Sequence, residues 1–263
     1  MTISISTLFA TSLGVSAGIF LLVWAISVLK KDASIVDILW GPACAVPGIT
    51  AYWVAGTGHP QQLLLVTLVS IWAVRLSLYL AKRNLPHGED YRYVRMRKRS
   101  KSDTAFIFKS LWYVFGMQLV ISWIISLPVQ LGIIGLEGDS ISTLAYVGAA
   151  LWLLGFGFET IGDHQLTQFK KNPSNMGKLM TTGLWAWTRH PNYFGDSMVW
   201  TGLTVIAFAA PYGIYTIVSP LLMALFLVKV SGKALTERHM VEKYPEYEAY
   251  KASTSGFIPM PPK

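Results

Sequence analysis

Long apolar stretches alternate with short polar ones along almost the whole chain, and they are too long and too unbroken for half-buried helices of a water-soluble domain. Crossing about 30 Å of hydrocarbon takes roughly 17 to 25 helical residues. Stretches of that kind occur at residues 6–29, 34–55, 61–81, 105–127, 144–162, 193–210 and 212–229. The pattern predicts an all-α fold, a polytopic integral membrane protein built as a bundle of seven transmembrane helices. No internal repeat, low-complexity tract or linker interrupts it, so residues 1–263 are expected to form a single membrane domain.

The polar connections carry the topology. Lys and Arg gather around Lys30 and Lys31 and in segments 82–103, 163–192 and 230–263, while Arg75 and Lys109 sit near the same helix ends. The alternate connections, "GTGHPQ", "GLEGDSIS" and "APYG", carry neither residue. Basic loops are retained on the cytoplasmic side. The expected arrangement therefore has the N-terminus outside, with loops 82–103 and 163–192 and the C-terminal tail 230–263 in the cytoplasm. Extracytoplasmic loops of a few residues leave little room for chemistry, so function is expected to face the cytoplasm.

Composition sharpens this picture in a few places. Of the 263 residues 52% are hydrophobic and 14% charged, far from a soluble average. The net charge of +8 is accounted for by cytoplasmic retention and anionic headgroups of the bilayer, so no nucleic acid is implied. Cys44 is the single cysteine, which excludes an internal disulfide and a thiolate-rich metal site. No metal and no obligate protein partner are expected. The first span lacks a basic leader and runs into Lys30 and Lys31, as a retained helix does.

Against this greasy background, "LWAWTRHPNYFGDSMVW" packs Arg189, His190, Asn192, Tyr193 and Asp196 into eight positions. Pro191 suits the first turn of a helix, where its missing N–H costs nothing. A helix start facing the cytoplasm attracts phosphate through its free N–H groups and dipole, and Arg189 and His190 reinforce it. Arg189, Asn192 or Tyr193, and Asp196 share one face. An interfacial anchor of Arg, Tyr and Trp is the plainer alternative.

Two further segments place polar residues at helical spacing. Glu159, Asp163, Thr167 and Lys170 lie along one face of the fifth span, and Lys229, Lys233 and Glu237 along one face of the seventh and its extension. Solvated helix ends would carry such residues as well. Three cation-bearing segments on one side of the membrane nevertheless favour a large anionic cofactor. Arg83, Arg92, Asn172 and Ser174, in the cytoplasmic loops, complete the candidate cofactor contacts. Within the membrane the candidates for catalysis are Asp37 in the second span and Arg75 and Tyr79 in the third. Asp37 and Arg75 lie at comparable depth, within roughly 10 Å of the cytoplasmic surface, where the two could pair.

"TTGLWAWTRHPNYFGDSMVW", "GDHQLTQFKK" and "EKYPEYEAY" together resemble the bacterial branch of the steroid 5-alpha-reductase family, a membrane domain formerly of unknown function. The resemblance implies a seven-helix enzyme of a bacterial inner membrane that uses NADPH to reduce the double bond conjugated to the ketone of a lipophilic, steroid-like substrate. It places Asp163, Lys170, Asn192, Asp196, Lys229, Lys233 and Glu237 at cofactor contacts, and Arg75 and Tyr79 match an Arg and a Tyr of the family. Where animal members carry Gln-Glu-Leu-Pro, this chain has Leu39, Trp40, Gly41 and Pro42. The family glutamate is absent, which makes Asp37 the substitute acid. Trp72 stands at the position expected of a tyrosine. The alternative is an S-adenosylmethionine-dependent membrane methyltransferase of the isoprenylcysteine or phospholipid type, in which "RHPNYFG" occurs in similar form.

Overall fold

The computed structural model describes residues 4–262 apart from 137 and 231, with the side chains of 234 and 235 left aside. Among the described residues all regular structure is helical. The elements are α1 (Ile5–Lys30), α2 (Ile35–Ala55), α3 (Pro60–Asn84), α4 (Tyr91–Lys98), α5 (Asp103–Ile125), α6 (Leu127–Leu131), α7 (Thr143–Lys171), α8 (Leu184–Trp187), α9 (Pro191–Ala207), α10 (Gly213–Val230), α11 (Lys233–Lys243) and α12 (Tyr247–Ser253). Six of them, α1, α2, α3, α5, α7 and α10, are long and apolar enough to cross a membrane. The segment expected at 193–210 is the helix α9, of 17 residues, about 26 Å long. It ends at Ala207 and not at 210. The chain divides into two compact units, one of residues up to Ala145 with Ile206–Thr216, the other of Tyr146–Val205 with Ile217 onward.

In the first unit the helices are shaped by their breakers. Ser4 caps α1 by accepting from the Thr7 N–H at 3.1 Å. The helix closes where Lys31 adopts the left-handed conformation at φ 55°. Pro42 and Pro47 lie inside α2. A proline removes the hydrogen bond to the carbonyl four residues earlier. For Pro42 that carbonyl belongs to Ile38, and the Ser77 hydroxyl of α3 donates to it at 2.8 Å. Beside this bond Gly41 lets α2 approach α3 closely, since a Cβ there would lie 2.4 Å from the Ala73 carbonyl oxygen. A second buried polar set ties α1 to α5 and α6: Ser12 donates to Gln130 at 2.8 Å and accepts from the Trp123 indole at 3.0 Å. The expected fourth span, 105–127, is likewise helical but carries a π segment over Leu111–Gly116.

In the second unit α7 and α9 pack backbone to backbone. Cβ atoms added at Gly155, Gly195 or Gly202 would lie 2.5 Å from main-chain atoms of the facing helix. Small residues are what allow helices to close on one another within a membrane, where apolar burial from water is not available as a driving force. Gly195 meets the backbone of Gly155 and Glu159, so the register of α9 along α7 is set immediately beside Asp163.

Gly195→Ala is therefore expected to lower stability by about 1–3 kcal/mol, as overpacking does. Gly157 offers the control, because a Cβ there meets nothing within 4 Å. Gly157→Ala is expected to be neutral or stabilising by up to about 1 kcal/mol. Thermal unfolding in detergent distinguishes the two; equal melting temperatures would refute the tight crossing.

Candidate functional site

The polar residues of the second unit fall into two clusters beside the start of α9. In the first, the Asn192 side-chain amide donates to Asp163 Oδ1 at 3.2 Å, while Asn192 Oδ1 accepts from the Tyr193 N–H at 3.1 Å. Pro191 opens α9 and stacks its ring over Gly162 of α7, where a Cβ would be only 3.1 Å away. The same Gly162 offers its carbonyl to the Trp185 indole at 3.1 Å. The Leu184 N–H donates to Gln165 at 3.0 Å, so the connection leading into α9 is held to α7 from both sides. Asp163 and Asp196 are both buried.

The second cluster is built on Arg189. An interfacial anchor would leave it at the membrane surface, but it is only 8% exposed. Its Nε donates to Glu237 Oε1 at 3.0 Å, and Nη1 donates to the carbonyls of Lys251 and Thr254. Its backbone N–H donates to the Ser255 carbonyl at 2.9 Å. Neighbouring residues continue the seam: Thr188 donates to the Phe257 carbonyl, the Met260 N–H to Trp187, and the Tyr250 hydroxyl to Trp185. A buried guanidinium demands acceptors for its donors. Here the C-terminal segment supplies them, and so is folded back onto "LWAWTRH".

His190 shares the carboxylate, with Nε2 3.1 Å from Glu237 Oε1. Its ring lies parallel to that of Tyr193 at 5.1 Å. Burial, with the charges of Arg189 and Lys233, pulls the imidazole below its ordinary range despite Glu237. A neutral ring with the proton on Nε2 is the form that donates to the carboxylate. Burial pushes the Glu237 carboxyl up, but donors from His190 and Arg189 outweigh it and hold the group down at about 2. Lys233 approaches from α11. A Cβ on Gly256 would lie 2.6 Å from Lys233 Nζ and 3.0 Å from Arg189 Nη2. Gly256 thus lets two cations converge on one spot of the backbone. With one carboxylate between them and a neutral imidazole, the cluster keeps a net positive charge.

Other expected contacts lie elsewhere. Asn172 accepts from Ser174 N and Oγ at 3.0 and 2.7 Å, an exposed turn that uses both side chains locally. Lys170 and Lys229 are exposed, at the end of α7 and in the π segment of α10.

In the first unit the candidate pairing of Asp37 with Arg75 is corrected. Asp37 Oδ2 pairs with Arg92 at 2.6 Å, and its Oδ1 accepts from the Tyr93 hydroxyl at 2.8 Å. Arg92, expected among the cofactor contacts, also bonds Asp90 at 2.9 Å. The reason is the turn before α4: Asp90 caps that helix, accepting from the Arg92 N–H, and so aims Arg92 and Tyr93 at the start of α2. Glu89 does the same one turn away, accepting from the Ala33 N–H at 2.9 Å and from Arg97 at 2.8 Å. Arg75 and Arg83 instead flank the Tyr79 ring, at 5.3 and 5.5 Å from its centroid. Tyr93, Glu89 and the C-terminal carbonyls were missed by sequence reasoning; "GEDYRYVR" held the signal as an acidic cap before a basic helix.

The chain belongs to the DUF1295 family, described as a protein of unknown function, whose model matches residues 23–254. It is also similar to the uncharacterized protein C594.04c of Schizosaccharomyces pombe (strain 972 / ATCC 24843), with 24% identity over 260 residues that cover 90% of this chain and 75% of that protein. The family match includes every residue of both clusters up to Thr254.

Arg189→Ala removes the guanidinium from a half-buried carboxylate and two carbonyls, and is expected to cost about 3–5 kcal/mol. The C-terminal segment should become accessible to protease before the rest of the unit. Acid should do the same. Glu237 is held below its ordinary 4.5, at about 2, so its contribution is full above pH 4.5 and is lost as pH falls between those values. A tail equally resistant in the variant and at pH 3 would refute the clasp.

Proposed function

We propose that this member of the DUF1295 family is a membrane reductase that uses NADPH to reduce the carbon–carbon double bond of a 3-oxo-4-ene steroid or a similar lipophilic enone. On this reading α9 is a seventh crossing, the N-terminus lies outside, and the site opens to the cytoplasm of a bacterial inner membrane. The observation that carries it is the convergence of Lys233 and Arg189 at Gly256, with the Asp163–Asn192 pair formed three residues along the chain from Arg189. The donor set fits the cofactor: two cations suit its phosphates, and a carboxylate with a carboxamide suits amide and ribose groups. Lys233 would hold phosphate through its ammonium, and Arg189 through the Nη2 edge that its structural bonds leave facing Gly256. Asp163 and Asn192 would hold the polar groups of the nicotinamide end. NADPH, when bound, supplies the hydride.

Reduction places negative charge on the ketone oxygen, and a fixed hydrogen-bond donor there stabilises it. Tyr79 is the assigned donor. The guanidinium groups of Arg75 and Arg83 beside its ring favour negative charge in their neighbourhood. Asp37 is better suited to anchoring: with Arg92 on one oxygen and Tyr93 on the other, it serves as an acceptor and fixes α4 against α2. That geometry supports Tyr79 over Asp37 as the proposed donor.

Calorimetric titration of detergent-purified protein should give tighter binding of NADPH than of NADH, with Lys233→Ala weakening NADPH by about 10-fold to 100-fold, the loss of a charged hydrogen bond. Tyr79→Phe should leave that affinity unchanged and slow single-turnover reduction of an enone by about 100-fold to 1,000-fold. Saturable binding of S-adenosylmethionine without nicotinamide binding would overturn the proposal in favour of a methyltransferase.

A further inference from the structure

At the other end of α2 and α3 from the Asp37–Arg92 pair, the first unit holds a cavity of about 490 Å³ lined by His59, Gln61, Ser140, Ser142 and neighbouring residues. His59 is 7% exposed and precedes Pro60, the first residue of α3. Its Nδ1 accepts from the Gln61 N–H at 3.1 Å, which leaves the proton of the neutral ring on Nε2. That Nε2 is buried and makes no hydrogen bond. A buried donor without an acceptor is rarely left so in a folded protein.

The two glutamines beside it are committed to other partners. Gln61 donates to the Ile206 carbonyl at 3.0 Å and accepts from the Ser142 N–H at 3.2 Å. Gln62 donates to the Ile133 carbonyl at 2.7 Å. Neither glutamine can turn to satisfy the imidazole without giving up a buried bond. Two long helices also begin here: α3 at Pro60, and α7 at Thr143, whose first turn Ser142 caps at 3.2 Å. Both helix starts point positive dipole ends at the same region. Asp139, on the same loop, is exposed and does not line the cavity.

We propose that this cavity binds a phosphate-type oxyanion, with His59 Nε2–H as the donor that selects an acceptor oxygen and the two helix starts supplying the favourable field. α3 runs 25 residues from here to its basic end, about 37 Å. That exceeds the roughly 30 Å of hydrocarbon. The cavity therefore sits at headgroup depth on the side away from the basic loops, where a phospholipid phosphodiester and a dissolved phosphate both have access.

The test separates the two duties of His59. In His59→Asn the side-chain oxygen takes over the cap, which Asn performs well, but nothing replaces Nε2. In His59→Gln the amide nitrogen reaches the Nε2 position while the cap is lost. Protein labelled with ¹⁵N-histidine has five histidines, and the His59 resonance is identified by its loss in either variant. Dioleoylphosphatidylglycerol in detergent micelles is expected to shift that resonance saturably. In native mass spectra His59→Asn should retain the lipid about tenfold more weakly at unchanged melting temperature, and His59→Gln should restore retention at a lower one. A shift with inorganic phosphate as well, or alone, keeps the oxyanion site and identifies a soluble source. No shift with either probe, or equal retention in His59→Asn, would overturn the proposal and leave the cavity to water.

Discussion

A guanidinium taken out of water keeps its charge, so it must find acceptors wherever it is buried, and Arg189 finds them in parts of the chain 48 to 65 residues away. Glu237 meets one edge and the carbonyls of Lys251 and Thr254 meet another. The arrangement of the second unit follows from this demand. The C-terminal segment buries Tyr247 and Tyr250 and sets Phe257 against Phe194, and the seam of bonds from Trp185 to Arg189 gives it one docking position. Glu237 is in turn kept ionised by the donors around it, and His190 is kept neutral by burial beside two cations. Each group fixes the protonation state of the next.

The first unit solves a related problem with the opposite sign. Asp37 and Glu89 are carboxylates at the edge of apolar helices, and each is met by an arginine of α4, the Asp37 pair at 2.6 Å and the Glu89 pair at 2.8 Å. The short basic helix is thereby fastened across the starts of α2 and the end of α1. Arg97 adds a further bond to the Lys31 carbonyl at 3.2 Å, where the chain leaves α1 in a left-handed turn. Such partly exposed pairs contribute modestly one at a time. Their combined geometry, with Tyr93 buried among them, fixes where the loop lies.

Spans were legible in the sequence because hydrocarbon thickness and helical rise leave few solutions for a long apolar run. The expected bounds at 34–55 and 61–81 differ from α2 and α3 by at most three residues. Pro191 as a helix opener was legible for the same kind of local reason. Partners were not. Asp37 and Arg75 share a depth, but depth says nothing of azimuth, and the turn capped by Asp90 brings Arg92 from 55 residues away. Arg189 resembled an interfacial anchor because an arginine beside Trp and Tyr reads alike whether or not a distant segment covers it. His59 drew no notice because a histidine before a proline is an ordinary helix cap. Only the cavity around it distinguishes the free Nε2.

In the proposed reductase Arg189 has two duties that are chemically compatible but energetically coupled. Its Nε and Nη1 are occupied by the clasp, the Tyr247 hydroxyl is a further hydrogen-bond partner, and its Nη2 lies beside Gly256. A ligand phosphate drawn to Nη2 and Lys233 would add negative charge next to Glu237, which already sits between the same cations. Repulsion from Glu237 then limits how tightly phosphate can bind, and the cations strengthen their hold on whichever anion is nearer. Docking of the C-terminal segment and occupancy of the cation pair are consequently linked through one side chain, and each must alter the free energy of the other by the same amount.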